Sequence, residues 1–260
     1  MKFSVGIGFR RAAAFLTRVP NAAPFDTSED LASAVPWFPV VGALVGASVA
    51  GVYAGALQLT APLPAAGVAL TCGVLLTGAF HEDGLGDMAD GFGGGYNRAD
   101  TLRIMKDSRQ GTYGVMAIAL SLVIRLTSIA ALPWRMAIVA ITASHALSRA
   151  SAVGLMRSLP AATEDGLGSA YLASLKIRRV AAGVASGLAI AAMLAGLWAA
   201  VAAGACAIAA AVIRVIAKRK IGGITGDVLG ATQQICECVS LTLFAGVATH
   251  HWPNWGMIWR

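Results

Sequence analysis

The stretch Gly78–Gly114, GAFHEDGLGDMADGFGGGYNRADTLRIMKDSRQGTYG, decides how this chain is read. Glu82, Asp83, Asp87, Asp90, Asp100 and Asp107 put six carboxylates into 26 residues, between two long apolar runs. The 260-residue chain is 57% hydrophobic and 13% charged, with a mean hydropathy of +0.70. Soluble domains carry about 25% charged residues, so this composition places the chain in a membrane. A bilayer core of about 30 Å needs about 20 apolar residues per helix. Seven runs qualify: 37–59, 63–80, 112–132, 136–157, 179–198, 200–217 and 224–248. The run 179–217 is too long for one crossing and is split near Trp198. The expectation is an all-α, polytopic integral membrane bundle of about seven transmembrane helices, forming one domain over residues 1–260. Gly42/Gly46, Gly51/Gly55 and Gly183/Gly187 are four apart and would let helices approach closely.

Charge sets the orientation. With the N-terminus inside, the internal segments hold Lys2, Arg10, Arg11, Arg18, Arg98, Arg103, Lys106, Arg109, Lys176, Arg178, Arg179, Lys218, Arg219 and Lys220; the external ones hold Arg135 and Arg260. This positive-inside bias predicts a cytoplasmic N-terminus and puts the 81–111 segment, the 158–178 loop and the KRKIGGITGD junction on the cytoplasmic face. The net charge of +7 would suit nucleic acid in a soluble protein, but here the basic residues flank apolar runs, so no nucleic-acid partner is expected. Cys72, Cys206, Cys236 and Cys238 lie in apolar runs and read as packing residues; no second Cys/His pair with zinc spacing accompanies Cys236 and Cys238. The opening MKFSVGIGFRRAAAFLTRVP is broken by Arg10 and Arg11 and reads as a short interfacial helix rather than a signal peptide. His250 and His251, in the external tail, receive no role.

Asp83, Asp87 and Asp90 are spaced i, i+4, i+7, on one face of a helix that would continue from the second span. No Lys or Arg lies between 81 and 97 to relieve their repulsion. A divalent cation would relieve it, and Mg²⁺ favours a few carboxylates plus water and substrate phosphate oxygens. Gly84 and Gly91 remove side chains beside these acids and suit close approach of a bulky ligand. In IMKDSRQGTYG, Lys106 and Arg109 bracket Asp107 and Ser108, and basic groups beside a metal suit a diphosphate. Asp227 opens the last span, and Glu237 lies about 15 Å deeper. A carboxylate at that depth needs a partner: Arg125 in the third span is the first choice and Arg149 in the fourth the alternative. His81, ahead of the acids, reads as a metal ligand, a proton acceptor or an interfacial residue. His145 and Arg149 are i, i+4 and form a polar stripe.

These blocks, in this order, resemble the cobalamin synthase (adenosylcobinamide-GDP ribazoletransferase) family. The family pattern HLDGLADTxDG corresponds to His81–Gly91, IMxDSRxGTxG to Ile104–Gly114 and GGxTGDxLGA to Gly222–Ala231. FLTRVP (15–20), WFPVVGALVG (37–46) and Ser148-Arg149 match as well. Glu82 stands where the family has an apolar residue, Gly86 for a usual Ala, Met88 for a usual Thr and Gln110 for an aliphatic residue. The resemblance implies the last assembly step of cobalamin (vitamin B12) biosynthesis. A ribose hydroxyl of α-ribazole, or of its phosphate, attacks the cobinamide-linked phosphorus of adenosylcobinamide-GDP, and GMP leaves. It implies Mg²⁺ as cofactor, with Asp83, Asp87 and Asp90 as its ligands and Asp107, Asp227 and His81 as catalytic candidates. Lys106, Ser108, Arg109, Arg149, Gly84 and Gly91 are the substrate-binding candidates. The implied location is the bacterial cytoplasmic (inner) membrane, with the site facing the cytoplasm. Other corrinoid-assembly enzymes and a second copy of the chain are the candidate protein partners.

Overall fold

A computed structural model describes residues 5–20, 27–163, 172, 174–250 and 258. Lys2, His251, Arg260 and residues 164–171 and 173 of the 158–178 loop lie outside it. The described residues form α1 (Val5–Leu16), α2 (Ser28–Ala34), a 3₁₀ turn (Val35–Trp37), α3 (Phe38–Ala56), α4 (Pro62–Thr77), α5 (Phe80–Gly94), α6 (Arg98–Met105), α7 (Thr112–Ala130), α8 (Trp134–Leu155), α9 (Ile177–Ala195), α10 (Leu197–Ile221) and α11 (Gly226–Thr249). They contain no strand; one parallel bridge pairs Ala161 with Ile224.

Six segments are long and apolar enough to cross a membrane: Ser28–Ala56, α7, α8, α9, α10 and α11. The remaining expected span, 63–80, is the 16-residue α4, only about 24 Å long. The acid-bearing α5 does not continue it, contrary to the expectation from sequence: α4 and α5 meet at 87°. The cause is local. Gly78 (φ 67°) and Ala79 (φ 59°) are both left-handed. The Ala79 N–H reaches back to Val74 O at 3.0 Å and the Gly78 N–H to Leu75 O at 3.3 Å, which closes α4 in a Schellman-type turn. The Arg18 N–H takes Leu76 O at 2.7 Å, satisfying another terminal carbonyl. The break between α9 and α10 falls at Gly196, slightly before the expected Trp198, where φ 57° and ψ −135° suit glycine.

α8 is the central helix, packed against α3, α9 and α11. A Cβ on Gly42 would lie 2.7 Å from His145 O, and one on Gly187 2.6 Å from Ala150 Cβ, so two of the three glycine pairs mark the α3–α8 and α9–α8 contacts. Gly51 and Gly55 face open space. Leu120, Val123, Leu188, Ile208 and Val212 on α7, α9 and α10 are exposed and form the apolar rim expected of lipid-facing helices.

Candidate active site

α5 lies against α7 and α11, and all three motif blocks meet on it. Its inner end is buried at His81 and Glu82; then Asp83 is exposed, Asp87 half-buried and Asp90 buried. Gly84 packs directly on the start of α11: an added Cβ would sit 3.1 Å from the Asp227 Cα and carbonyl oxygen and 3.4 Å from Gly230 Cα. That contact, which leaves no room for a ligand at Gly84, brings the GGITGDVLGA block beside the acids. Thr225 caps α11, accepting the Val228 N–H at 3.3 Å and donating its hydroxyl to Asp227 Oδ2 at 3.2 Å. The negative charges of Asp83 and Asp87 act on Asp227, and no basic side chain among the described residues pairs with any of the three.

The IMKDSRQGTYG block is tied to the same helix. The Gln110 amide donates to Asp87 Oδ1 at 2.9 Å. Asp90 accepts the Gly111 N–H at 2.6 Å and the Gly114 N–H at 2.8 Å, so its carboxylate caps the N-terminus of α7 from across the interface. Gly91 makes room for α6, with Thr101 O 3.0 Å from where its Cβ would be. Lys106, Ser108 and Arg109 are exposed. Arg109 forks onto Asp107, with Nη2–Oδ2 at 2.8 Å and Nε–Oδ1 at 3.1 Å. This contact holds the Asp107 carboxyl down at about 2. Arg98, read from sequence only as an orientation charge, ties its own segment to the end of α10 and to the 158–163 stretch: Nε donates to Ile221 O at 2.9 Å and Nη2 to Ala162 O at 2.6 Å. Nothing in its local sequence signals that role.

The donor set suits a hard divalent cation: oxygen ligands only, with uncompensated charge on Asp83, Asp87 and Asp227. Among the described residues no three His, Cys, Asp or Glu side chains converge tightly enough to hold a metal unaided. A cation here would therefore draw ligands from substrate and water, as Mg²⁺ commonly does.

Behind the acids a charged network crosses the bundle. Glu237 receives Arg149 Nη1 at 2.9 Å, Gln233 Nε2 at 2.6 Å and Arg125 Nη1 at 3.4 Å. Both arginines weighed as partners therefore reach it, Arg149 more closely. Arg125 also pairs with Glu82 at 3.0 Å, a partner that sequence reasoning missed. The available signal was a carboxylate at an apolar family position. His145 Nδ1 lies 3.4 Å from Glu237 Oε2 without hydrogen-bond geometry.

A cavity of about 370 Å³ lies between α1, α3, α5, α8 and α11. Along α11 it runs from Thr225 and Gly226 to Gln233, a length of about 12 Å. Phe15, Phe38 and Phe80 supply an aromatic wall, and His81 and Arg149 line it as well.

The model of the cobalamin-5-phosphate synthase family matches residues 8–245. A Rhizobium etli (strain CIAT 652) adenosylcobinamide-GDP ribazoletransferase is 44% identical over 90% of this chain and 95% of its own length. Enzymes of the same name from Mesorhizobium japonicum and Ralstonia nicotianae are 42% and 40% identical over 90% and 88% of the chain, covering 90% and 91% of their own lengths. No solved structure matches the chain. The three blocks that meet on α5 thus lie inside a match running almost end to end, and the chain belongs to the cobalamin-5-phosphate synthase family.

Proposed function

We propose that the chain transfers the adenosylcobinamide-phosphate part of adenosylcobinamide-GDP to ribazole or ribazole phosphate, with release of GMP. The observation that carries this reading is the convergence of three motif blocks on α5, which gathers unpaired carboxylates and a Lys/Arg loop at one end of the bundle. A ribose hydroxyl oxygen forms the new bond to the cobinamide-linked phosphorus, the bond from that phosphorus to the GMP oxygen breaks, and the hydroxyl proton goes to a carboxylate.

Asp83 and Asp87 would hold Mg²⁺. When bound it supplies charge neutralisation on the diphosphate and the departing phosphate. Lys106 and Arg109 present their cations to the same diphosphate from the exposed loop, with Ser108 between them. Asp90 orients that loop by accepting hydrogen bonds from the Gly111 and Gly114 N–H groups. A proton acceptor works best near the operating pH. Asp107, held at about 2, is poorly matched to the task. Asp227, half-buried beside the other acids, is the better placed group.

The site faces the cytoplasm across the bacterial cytoplasmic membrane. Supporting this, Arg98 binds the backbone at Ile221 and Ala162, so the basic segments around 98–109 and 218–220 and the start of the 158–178 loop share one end of the bundle. The test incubates detergent-purified chain with adenosylcobinamide-GDP, ribazole or ribazole phosphate, and Mg²⁺, with an EDTA control. Matched, metal-dependent formation of GMP and of the cobalamin product is expected. GMP without cobalamin, no product at all, or full activity in EDTA would count against the corresponding part of the reading.

A further inference from the structure

We propose that the 370 Å³ cavity is the acceptor site, taking the fused-ring aromatic base of the nucleoside while its sugar emerges beside Asp227. The proposal rests on the transferase reading above.

Four observations carry it. The volume lies in the range of small-molecule sites, about 300–1,000 Å³, and is too small for a corrinoid macrocycle bearing its nucleotide, so the donor stays outside on the acids. The wall is aromatic and ordered: Phe15 stacks on Phe38 with centroids 5.5 Å apart and planes 3° from parallel, and meets Phe80 edge-to-face at 5.2 Å. A flat apolar ring gains most against such a corner.

The cavity is also not simply apolar. Arg149 and His81 line it and are only 4% and 5% exposed. Among the described residues, every hydrogen bond that Arg149 donates leaves from Nη1, to Glu237, Ser148 and His145 O. Nε and Nη2 are left for a ligand. His81 makes no side-chain hydrogen bond among these residues, and its ring meets Phe80 edge-to-face. An acyl chain would bury these donors unanswered, at a cost of about 1–3 kcal/mol each. An aromatic base with an acceptor nitrogen answers one of them, and its sugar hydroxyls can accept from the rest. The last observation is position. From Gln233 to Asp227 is six residues of α11, about 9 Å, so a base seated against Arg149 delivers its sugar hydroxyls to the proposed proton acceptor and the donor diphosphate. In this scheme Glu237 is a positioning residue, fixing the Arg149 guanidinium that faces the base.

The experiment is calorimetric titration of ribazole into the full chain in detergent, with the KM for adenosylcobinamide-GDP read on the same preparations. Ala152, which lines the cavity, is replaced by Phe to fill it; Met156→Trp does the same from one turn on, should the first variant fold poorly. Ribazole binding is expected to weaken about tenfold or more, with the donor KM unchanged, and a fluorescent fatty acid should not compete with ribazole. Undiminished ribazole binding in both filled variants overturns the site and leaves the transferase reading standing. A fatty acid that excludes ribazole from the wild-type chain overturns it in favour of a lipid site. Ribazole binding that is lost on filling, in a chain that never releases GMP, supports the site and sinks the transferase reading.

Discussion

Glu82 and Arg125 can be removed from the buried network as a unit. Arg125→Met leaves Glu82 buried with no cation and Glu237 with Arg149 alone. Glu82→Leu leaves Arg125 with its longer 3.4 Å contact to Glu237 as its ion pair, beside its bond to Ser121 O. Breaking a buried pair by deleting one partner costs about 3–5 kcal/mol, whereas replacing the whole pair with apolar groups is often neutral. After both substitutions Arg149 and Glu237 remain at 2.9 Å, with Gln233 at 2.6 Å on the same oxygen, and the buried charge is again balanced. The expected losses are about 4 kcal/mol for Arg125→Met, about 3 for Glu82→Leu and no more than about 4 for the double variant, a coupling of about 3 kcal/mol. At about 2–4 °C per kcal/mol for a chain of this size, each single variant melts about 10 °C lower and the double no lower than Arg125→Met. Thermal unfolding by circular dichroism in one detergent, with monodispersity checked by size exclusion, reads all four proteins. A double variant whose loss equals the sum of the singles would refute the pairing.

Asp83→Asn and Asp87→Asn are each expected to lower kcat by about 10²–10³ while the chain stays folded; near wild-type turnover in either variant removes that residue from the site. Gly84→Ala puts a methyl group 3.1 Å from the backbone of Asp227, so α5 and α11 must separate, with a loss of about 1–3 kcal/mol and a higher donor KM. An unchanged melting temperature and KM would show that the crossing is loose. The Asp107 carboxyl is depressed from 3.8 to about 2 by Arg109, so the contribution of this contact is complete above the ordinary value and lost as pH falls through about 2. Asp107 therefore stays ionised throughout an assay from about pH 5 to 8. Arg109→Ala should weaken donor binding without moving the acid limb of the pH–rate profile, and a limb that moves would give Asp107 a proton-transfer role.

The spans were legible because apolar runs of bilayer length need no tertiary information. The turn between α4 and α5 was not. Gly78 is an ordinary helix-ending signal, but the change of direction depends on Ala79 also entering the left-handed region, which its sequence does not announce. Four-residue glycine spacing identified real contacts at Gly42/Gly46 and Gly183/Gly187 but could not say which helix face meets a neighbour, and Gly51/Gly55 meets nothing. The i, i+4, i+7 acids do sit on one helix, yet their exposure is graded from Asp83 inward to Asp90. Asp90 is engaged by the amides of Gly111 and Gly114, on a chain return that periodicity cannot reveal. Counting depth along helices brought Arg125, Arg149 and Glu237 together, because helical rise converts residue number into distance. The cavity was beyond reach, since residues 15, 38, 80, 149 and 233 share no sequence neighbourhood.

The turn at Gly78–Ala79 connects these features. A non-glycine residue in the left-handed region is unfavourable by roughly 1–2 kcal/mol. What it secures is a helix whose two ends do different work. Had α5 continued α4 straight on, it would not lie across α11 as it does. Turned by 87°, α5 instead keeps His81 and Glu82 inside. Glu82 there balances Arg125, and His81 lines the cavity with Arg149. The next turn carries Asp83 and Asp87 to the rim beside Asp227. Glu237 binds Arg149 on one oxygen and Arg125 on the other, so the charge that stabilises the membrane interior also fixes the cavity's polar group. The cavity and the acids are therefore two sides of one helix crossing, and a displacement of α5 would disturb both together.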